Sequence, residues 1–195
     1  MARPKSKART SRSVDKWKLK KHFDVIAPDV FNNTRVGTIV ANDADKLVGR
    51  RIDTTLSKLV SSNQHHIKLK LRVSGIDGFN ANTKVDEVQL SGAYISSQIY
   101  GGSDIIEYVF KTKVKSEEDV RVKLVMFSRK KIHAEQRKAL RLLAEEIINE
   151  AAEKDSFDQF IQEAVFGKLG SQIFNRGKKI VPLGRVEIGM IELIR

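Results

Sequence analysis

From His65 to Gly75 the chain alternates without a break, with Ile67, Leu69, Leu71 and Val73 on one side and Lys68, Lys70 and Arg72 on the other. Successive side chains of an extended strand point to opposite faces, so this segment predicts a half-buried strand with a basic outer face. Gly75-Ile76-Asp77-Gly78 supplies a hairpin turn, and a second strand is expected around Val85 to Leu90. The pattern returns further on. Tyr108, Phe110, Thr112 and Val114 alternate with Lys111, Lys113 and Lys115, while Val120, Val122, Leu124 and Met126 alternate with Arg121 and Lys123. A loop at about Ser116 to Val120 sets Val114 opposite Val122 and Phe110 opposite Met126. The same register sets Lys113 against Lys123 and Lys115 against Arg121. Like charges placed so cost stability unless a polyanion neutralises them, and the face is therefore expected to be a phosphate platform.

Shorter runs complete the first half. Phe23 to Ala27 is an apolar anchor stopped by Pro28, and Phe31 to Thr34 reads as a turn. Val36 to Val40 and Arg51 to Val60 are β-branched segments, and Asp43 to Gly49 is a loop or a single helical turn between them. From about Arg129 to Lys154 the period becomes helical, with Leu140, Leu143, Ala144, Ile147 and Ala151 in one stripe. Ser156-Phe157-Asp158-Gln159 matches a capping box and opens a second helix, with Phe160, Ile161, Ala164 and Val165 on its buried face and Gly167 as its stop. Val186, Ile188 and Met190 alternate as in a closing strand. The class predicted is α+β, a mainly antiparallel β body with C-terminal helices behind a disordered basic tail. The expected organisation is a basic tail over 1–21 and one α+β domain over 22–195, mainly β over 22–128, helical over 129–176 and closing with a strand over 178–194.

Charge sharpens the picture. The chain has 195 residues and a formal net charge of +12, and its first 21 residues hold nine Lys/Arg (Arg3, Lys5, Lys7, Arg9, Arg12, Lys16, Lys18, Lys20, Lys21) against Asp15 alone. Such a segment buries too little apolar surface to offset its ordering entropy, so it is expected to be disordered until a polyanion orders it. Trp17 interrupts the run and offers a stacking face. By contrast, Glu135 to Glu163 holds eight acids and four bases, so the helical pair is expected to face solvent or another protein. Its entrance is basic through Arg129, Lys130, Lys131, Arg137, Lys138 and Arg141, with Glu145 four residues beyond Arg141 as an alternative partner to RNA. The expected RNA-binding set is therefore the tail cations, Trp17, the strand cations Lys68, Lys70, Arg72, Lys111, Lys113, Lys115, Arg121 and Lys123, and Arg129, Lys130, Lys131, Arg137 and Arg141.

Catalytic chemistry finds little to hold. There is no cysteine, no phosphate-cradling glycine loop and no nucleophile motif, and the adjacent His65 and His66 point to opposite faces of the expected strand. No enzymatic activity, metal or cofactor is expected. No apolar run is long enough to cross a membrane as a helix and the basic amino terminus lacks the apolar stretch of a signal peptide, so a cytoplasmic chain with nucleic acid rather than membrane as its partner is expected.

Several segments together resemble one family. Trp17-Lys18-Leu19-Lys20-Lys21-His22-Phe23-Asp24-Val25-Ile26-Ala27-Pro28 is similar to the amino-terminal signature of the archaeal and eukaryotic small-subunit ribosomal proteins called S-one-e or S-three-a-e. Leu47-Val48-Gly49-Arg50, Lys68 to Val73, Gln136 to Arg141 and Val181 to Ile188 resemble later family segments in the same order. The short length is similar to archaeal members. The resemblance implies a structural protein of the small-subunit platform, bound to ribosomal RNA near the messenger exit and beside other ribosomal proteins. It also implies a barrel-like sheet and no small-molecule substrate. The competing expectation is an RNA- or DNA-binding assembly or chromatin factor acting outside the ribosome.

Overall fold

The computed structural model describes residues 17–60, 63–115 and 119–194, so the tail cations from Arg3 to Lys16 lie outside the described residues. The elements run β1 (Lys21–Ile26), β2 (Arg35–Ala41), β3 (Arg51–Thr55), α1 (Leu56–Val60), β4 (Ile67–Asp77), β5 (Asn80–Leu90), α2 (Gly92–Ser97), β6 (Ile105–Lys113), β7 (Asp119–Ser128), α3 (Ala134–Lys154), α4 (Phe157–Val165), α5 (Lys168–Gly177) and β8 (Leu183–Ile194). All eight strands join one sheet in the order β2-β1-β5-β8-β7-β6, with β4 on the other edge of β5 and β3 outside β4. The class is α+β as the sequence predicts. The sheet is open rather than closed into a barrel, with β2, β3 and β6 as free edges.

Every pairing is antiparallel except that of β1 with β5, which spans only Asp24–Ile26 against Asn80–Asn82. One face of the sheet is covered. Ile67, Leu69, Leu71, Val120, Val122, Leu124 and Met126 are buried there with Leu140, Ala144, Ile147 and Ile148 of α3 and Leu169 and Ile173 of α5. Gly170 lets α5 approach β8, since a Cβ at that position would meet the Val186 carbonyl oxygen at 2.7 Å. A smaller core of Phe23, Ala41 and Leu47 lies apart, beneath β1 and β2. Among the described residues no helix is long and apolar enough to cross a membrane.

Local structure departs from the pattern in four places. Arg51 to Val60 is not one strand: after Thr55 the chain turns into α1, burying Leu56 and Leu59 three residues apart on one helical side. The strand β4 runs through Gly75 to Asp77, and the turn falls at Gly78-Phe79, where Gly78 takes φ +63. Arg129 to His133 precede α3, whose first turn is closed by a capping box between His133 and Gln136. His65 and His66 lie ahead of β4 rather than within it, and His66 stacks on Tyr94 with ring centroids 3.9 Å apart.

The fifth departure concerns register. Phe110 pairs with Val122, Lys111 with Arg121 and Lys113 with Asp119, a slip of four residues from the predicted hairpin. The slip is even, so every side chain keeps its face while changing its partner. The expected opposition of Lys113 to Lys123 and of Lys115 to Arg121 is therefore absent.

Candidate nucleic-acid interface

The outer face of the sheet, opposite the helices, is where the strand cations stand. At one level across it the register sets Asp53 opposite Lys70, Lys70 opposite Glu87, Glu87 opposite Glu192, Glu192 opposite Arg121 and Arg121 opposite Lys111. Lys70 donates to Glu87 at 2.7 Å and Arg121 to Glu192 at 2.9 Å, so two of the expected phosphate contacts are already neutralised. The Glu87 hydrogen bond holds the Lys70 ammonium above its ordinary pKa, against the opposing cost of burial. Lys123 pairs with Glu107 at 2.8 Å across β6 and β7. These pairs occupy cations that the spacing alone makes look available.

A tighter knot sits where β5 bulges. Glu87 pairs with Lys70 and Val85 with Leu71, which leaves Asp86 as the extra residue, its side chain 3% exposed. Arg51 Nε reaches this carboxylate at 2.7 Å and Arg72 Nε at 3.1 Å. Arg72 is thereby a structural arginine of the β3–β4–β5 corner. The sequence carried a signal for this, because Val85 and Val88 are both buried although three residues apart, and the two acids between them break the alternation.

Other strand cations keep their charge open. Lys68, Lys111 and Lys113 are exposed and make no ion pair with any described residue, and Lys115 beyond β6 is exposed as well. Four inter-strand steps separate β4 from β6, about 19 Å at the usual spacing, so Lys68 and the Lys111–Lys113 pair stand toward opposite sides of the sheet.

The basic entrance to α3 is organised by Asp104. Its carboxylate accepts the Ile132 N–H at 2.9 Å and an Arg137 N–H at 2.8 Å, and these bonds hold its pKa below the ordinary carboxylate value. The Ser128 N–H donates to the Asp104 carbonyl at 2.9 Å, and the Ser128 hydroxyl to the Lys130 carbonyl at 2.5 Å. Arg129, Lys130 and Lys131 thus project from a braced loop, all three exposed and without an ion pair among the described residues, while Arg137 is consumed as a brace. Arg141 lies over the Tyr108 ring at 5.8 Å, and Glu145 takes the Tyr108 hydroxyl at 2.7 Å, so neither pairs with the other.

At the β1 end, residues 17–20 form a turn closed by Lys20 N–H to the Trp17 carbonyl at 3.2 Å. Trp17 is 69% exposed, with the Lys20 ammonium 3.5 Å from its ring centroid. Lys18 and Lys21 are exposed beside it. On the opposite part of the molecule, the Tyr94 hydroxyl donates to Glu187 at 2.7 Å and accepts from Arg185 at 2.6 Å. Burial, then the Glu187 bond, pushes the Tyr94 pKa up to about 12. Among the described residues the expected set therefore divides into open cations, cations committed to acids, and Lys20 and Arg141 over aromatic rings, and no single patch gathers them all.

Comparison with known proteins points one way. A model of the ribosomal S3Ae family matches residues 8–195. The protein called small ribosomal subunit protein eS1 from Archaeoglobus fulgidus is 38% identical over 191 residues, covering 96% of this chain and 90% of that protein. Its namesake from Saccharolobus solfataricus is 35% identical over 182 residues, covering 93% and 88%.

Proposed function

This chain belongs to the ribosomal S3Ae family, and on that premise we propose that it is built into the small ribosomal subunit by binding ribosomal RNA through its open cations. The role is structural and supports translation in the cytoplasm. Its place is the platform near the messenger exit, as the sequence resemblance implies. One observation supports the binding mode: Lys68, Lys111, Lys113 and the Arg129–Lys131 loop are exposed and form no ion pair among the described residues, while chemically identical neighbours such as Lys70 and Lys123 are paired. Charges left bare on a rigid sheet and a braced loop are preorganised for phosphate, whose contacts position a protein on RNA. The tail from Arg3 to Lys16 and the cations Lys18, Lys20 and Lys21 extend the same electrostatic footprint. The net-negative α3–α4 side is assigned to neighbouring ribosomal proteins.

Sedimentation tests this reading. The protein is expected to travel almost wholly with small subunits at physiological salt and to leave them only in strong salt. A chain found mostly unbound would instead be a factor acting outside the ribosome. Crosslinks mapped to nucleotides in intact subunits would then locate the platform contacts or place them elsewhere.

A further inference from the structure

The hairpin joining β4 to β5 ends in an aromatic residue that its position does not require. The turn is made by Gly78, whose positive φ opens the two-residue loop, so Phe79 could be any residue that tolerates a turn. Its side chain is 64% exposed. A lone exposed phenylalanine is ordinary surface. This one is mounted. Its carbonyl accepts the Asp24 N–H at 2.8 Å, and its ring leans on Phe23 with centroids 6.0 Å apart and planes inclined at 40°. Phe23 itself is 3% exposed and anchors the small core beneath β1. The hairpin behind the tip is cross-linked by Ser74 Oγ to the Asn82 carbonyl at 3.1 Å and by Asn82 Nδ2 to Asp77 at 2.7 Å. A ring held so loses little freedom when a partner arrives.

The surroundings select the partner. Lys21 lies two residues before Phe23 on the same side of β1, and Lys18 stands in the turn just ahead; both are exposed without an ion pair among the described residues. Of the nearby acids, Asp24 pairs with Arg35 at 2.6 Å, Asp43 pairs with Lys46, and Asp77 accepts from the Asn82 amide. Trp17, the residue the sequence offers for stacking, already has the Lys20 ammonium over its ring. We propose that Phe79 is the stacking residue at this end of the molecule, taking an unpaired nucleobase of RNA on its open face while Lys18 and Lys21 hold the flanking phosphates. Every base presents a π-face, so the site takes single-stranded RNA and ignores duplex. The proposal rests on the RNA-binding reading above.

The test uses the full chain, a short single-stranded RNA and a blunt RNA duplex as probes, and the variants Phe79→Leu and Phe79→Trp. Leucine keeps the contact with Phe23 but has no π-face; tryptophan keeps both. Phe79→Leu is expected to bind the single strand about 5- to 150-fold more weakly, with its melting temperature and salt slope unchanged. Phe79→Trp is expected to bind as the wild type does, and duplex binding to be the same for all three. A Phe79→Leu protein with wild-type single-strand affinity would overturn the proposal and leave RNA binding intact, as would an affinity loss matched by a fall in melting temperature. Failure of the wild-type chain to bind either RNA in a salt-dependent way would overturn the RNA-binding reading itself.

Discussion

Neutralising Lys68, Lys111 and Lys113 together separates a phosphate platform from a merely decorated sheet. None of the three holds an ion pair among the described residues, and Lys111 opposite Arg121 opposes in sign what Lys113 opposite Asp119 contributes, so their replacement by glutamine should leave the melting temperature nearly unchanged. If each meets one phosphate, the slope of log affinity against log salt falls by roughly 0.7 to 0.9 per residue, or about 2 to 2.7 for the triple variant. In 0.1 M salt that is about 3 to 4 kcal/mol of lost binding, shrinking toward nothing near 1 M. Lys154, Lys178 and Lys179, exposed at the ends of α3 and α5, provide the control, because their neutralisation changes net charge equally on the helical side. Filter binding to small-subunit RNA across a salt series reads both slopes. Equal slopes for the two variants would show that net charge alone matters, and an unchanged slope for the sheet variant would remove the platform.

Three further outcomes follow from the committed groups. Asp86→Asn strips the carboxylate between Arg51 and Arg72; a fully buried pair loses about 3 to 5 kcal/mol on such a change, and with both arginines partly solvated about 3 kcal/mol is expected, read by urea unfolding. A stability within a few tenths of the wild type's would show that the knot is dispensable. The Tyr94 pKa is raised to about 12, so the stability this hydroxyl contributes is fully present below pH 10 and lost as pH rises toward 12. Tyr94→Phe should abolish that part of the alkaline loss and remove the last tyrosine to ionise in a 295 nm titration; a wild-type titration complete by pH 10.5 would contradict it. Asp104 has a depressed pKa, so what it contributes is present above pH 3.8 and lost as pH falls below it. Asp104→Asn should flatten that acid dependence and, by loosening the Arg129–Lys131 loop, weaken RNA binding; unchanged affinity would show that the brace serves folding alone.

The β4 strand was legible because its alternation is unbroken, α3 because of its 3.6-residue stripe and α4 because a capping box at Ser156 opens it, whereas the short α1 reads as strand. Register was not. An even slip leaves each residue of β6 and β7 on its own face, so hydrophobic alternation scores the true and the shifted hairpins alike. That degeneracy matters here because the sign of the charge interaction depends on the partner. Lys123 was expected to repel Lys113, and neutralising it to stabilise the free protein; paired with Glu107, its loss should instead cost a few tenths of a kcal/mol. Which cations are open is likewise hidden, since the acids that occupy them come from other strands, β5, β6 and β8, whose register the pattern leaves open. Phe79 gave no periodic signal at all, standing in a turn whose position the run from Gly75 to Gly78 disguised.

The three-residue parallel seam between β1 and β5 makes the ends of the molecule mechanically unequal. The β1–β2 hairpin shares a small core with Leu47, while Phe31 in its loop and Val36 of β2 reach the main core and the Thr34 hydroxyl donates to the Leu59 carbonyl at 3.4 Å; the Thr83 hydroxyl on the Ile26 carbonyl and Phe79 against Phe23 add to these ties. Its outer end, Lys21–Phe23 against Ile39–Ala41, pairs with no third strand among the described residues and is the part that opens at least cost while the broad sheet and its helices stay closed. Residues 1–16 precede this same hairpin in the sequence, and beside it stands the tip carrying Phe79. RNA gripping both would span the seam and bind the open form poorly, so occupancy would tighten the loosest joint in the protein. Free, the chain would thus be a firm body with a yielding end, and only in the particle would it become rigid throughout.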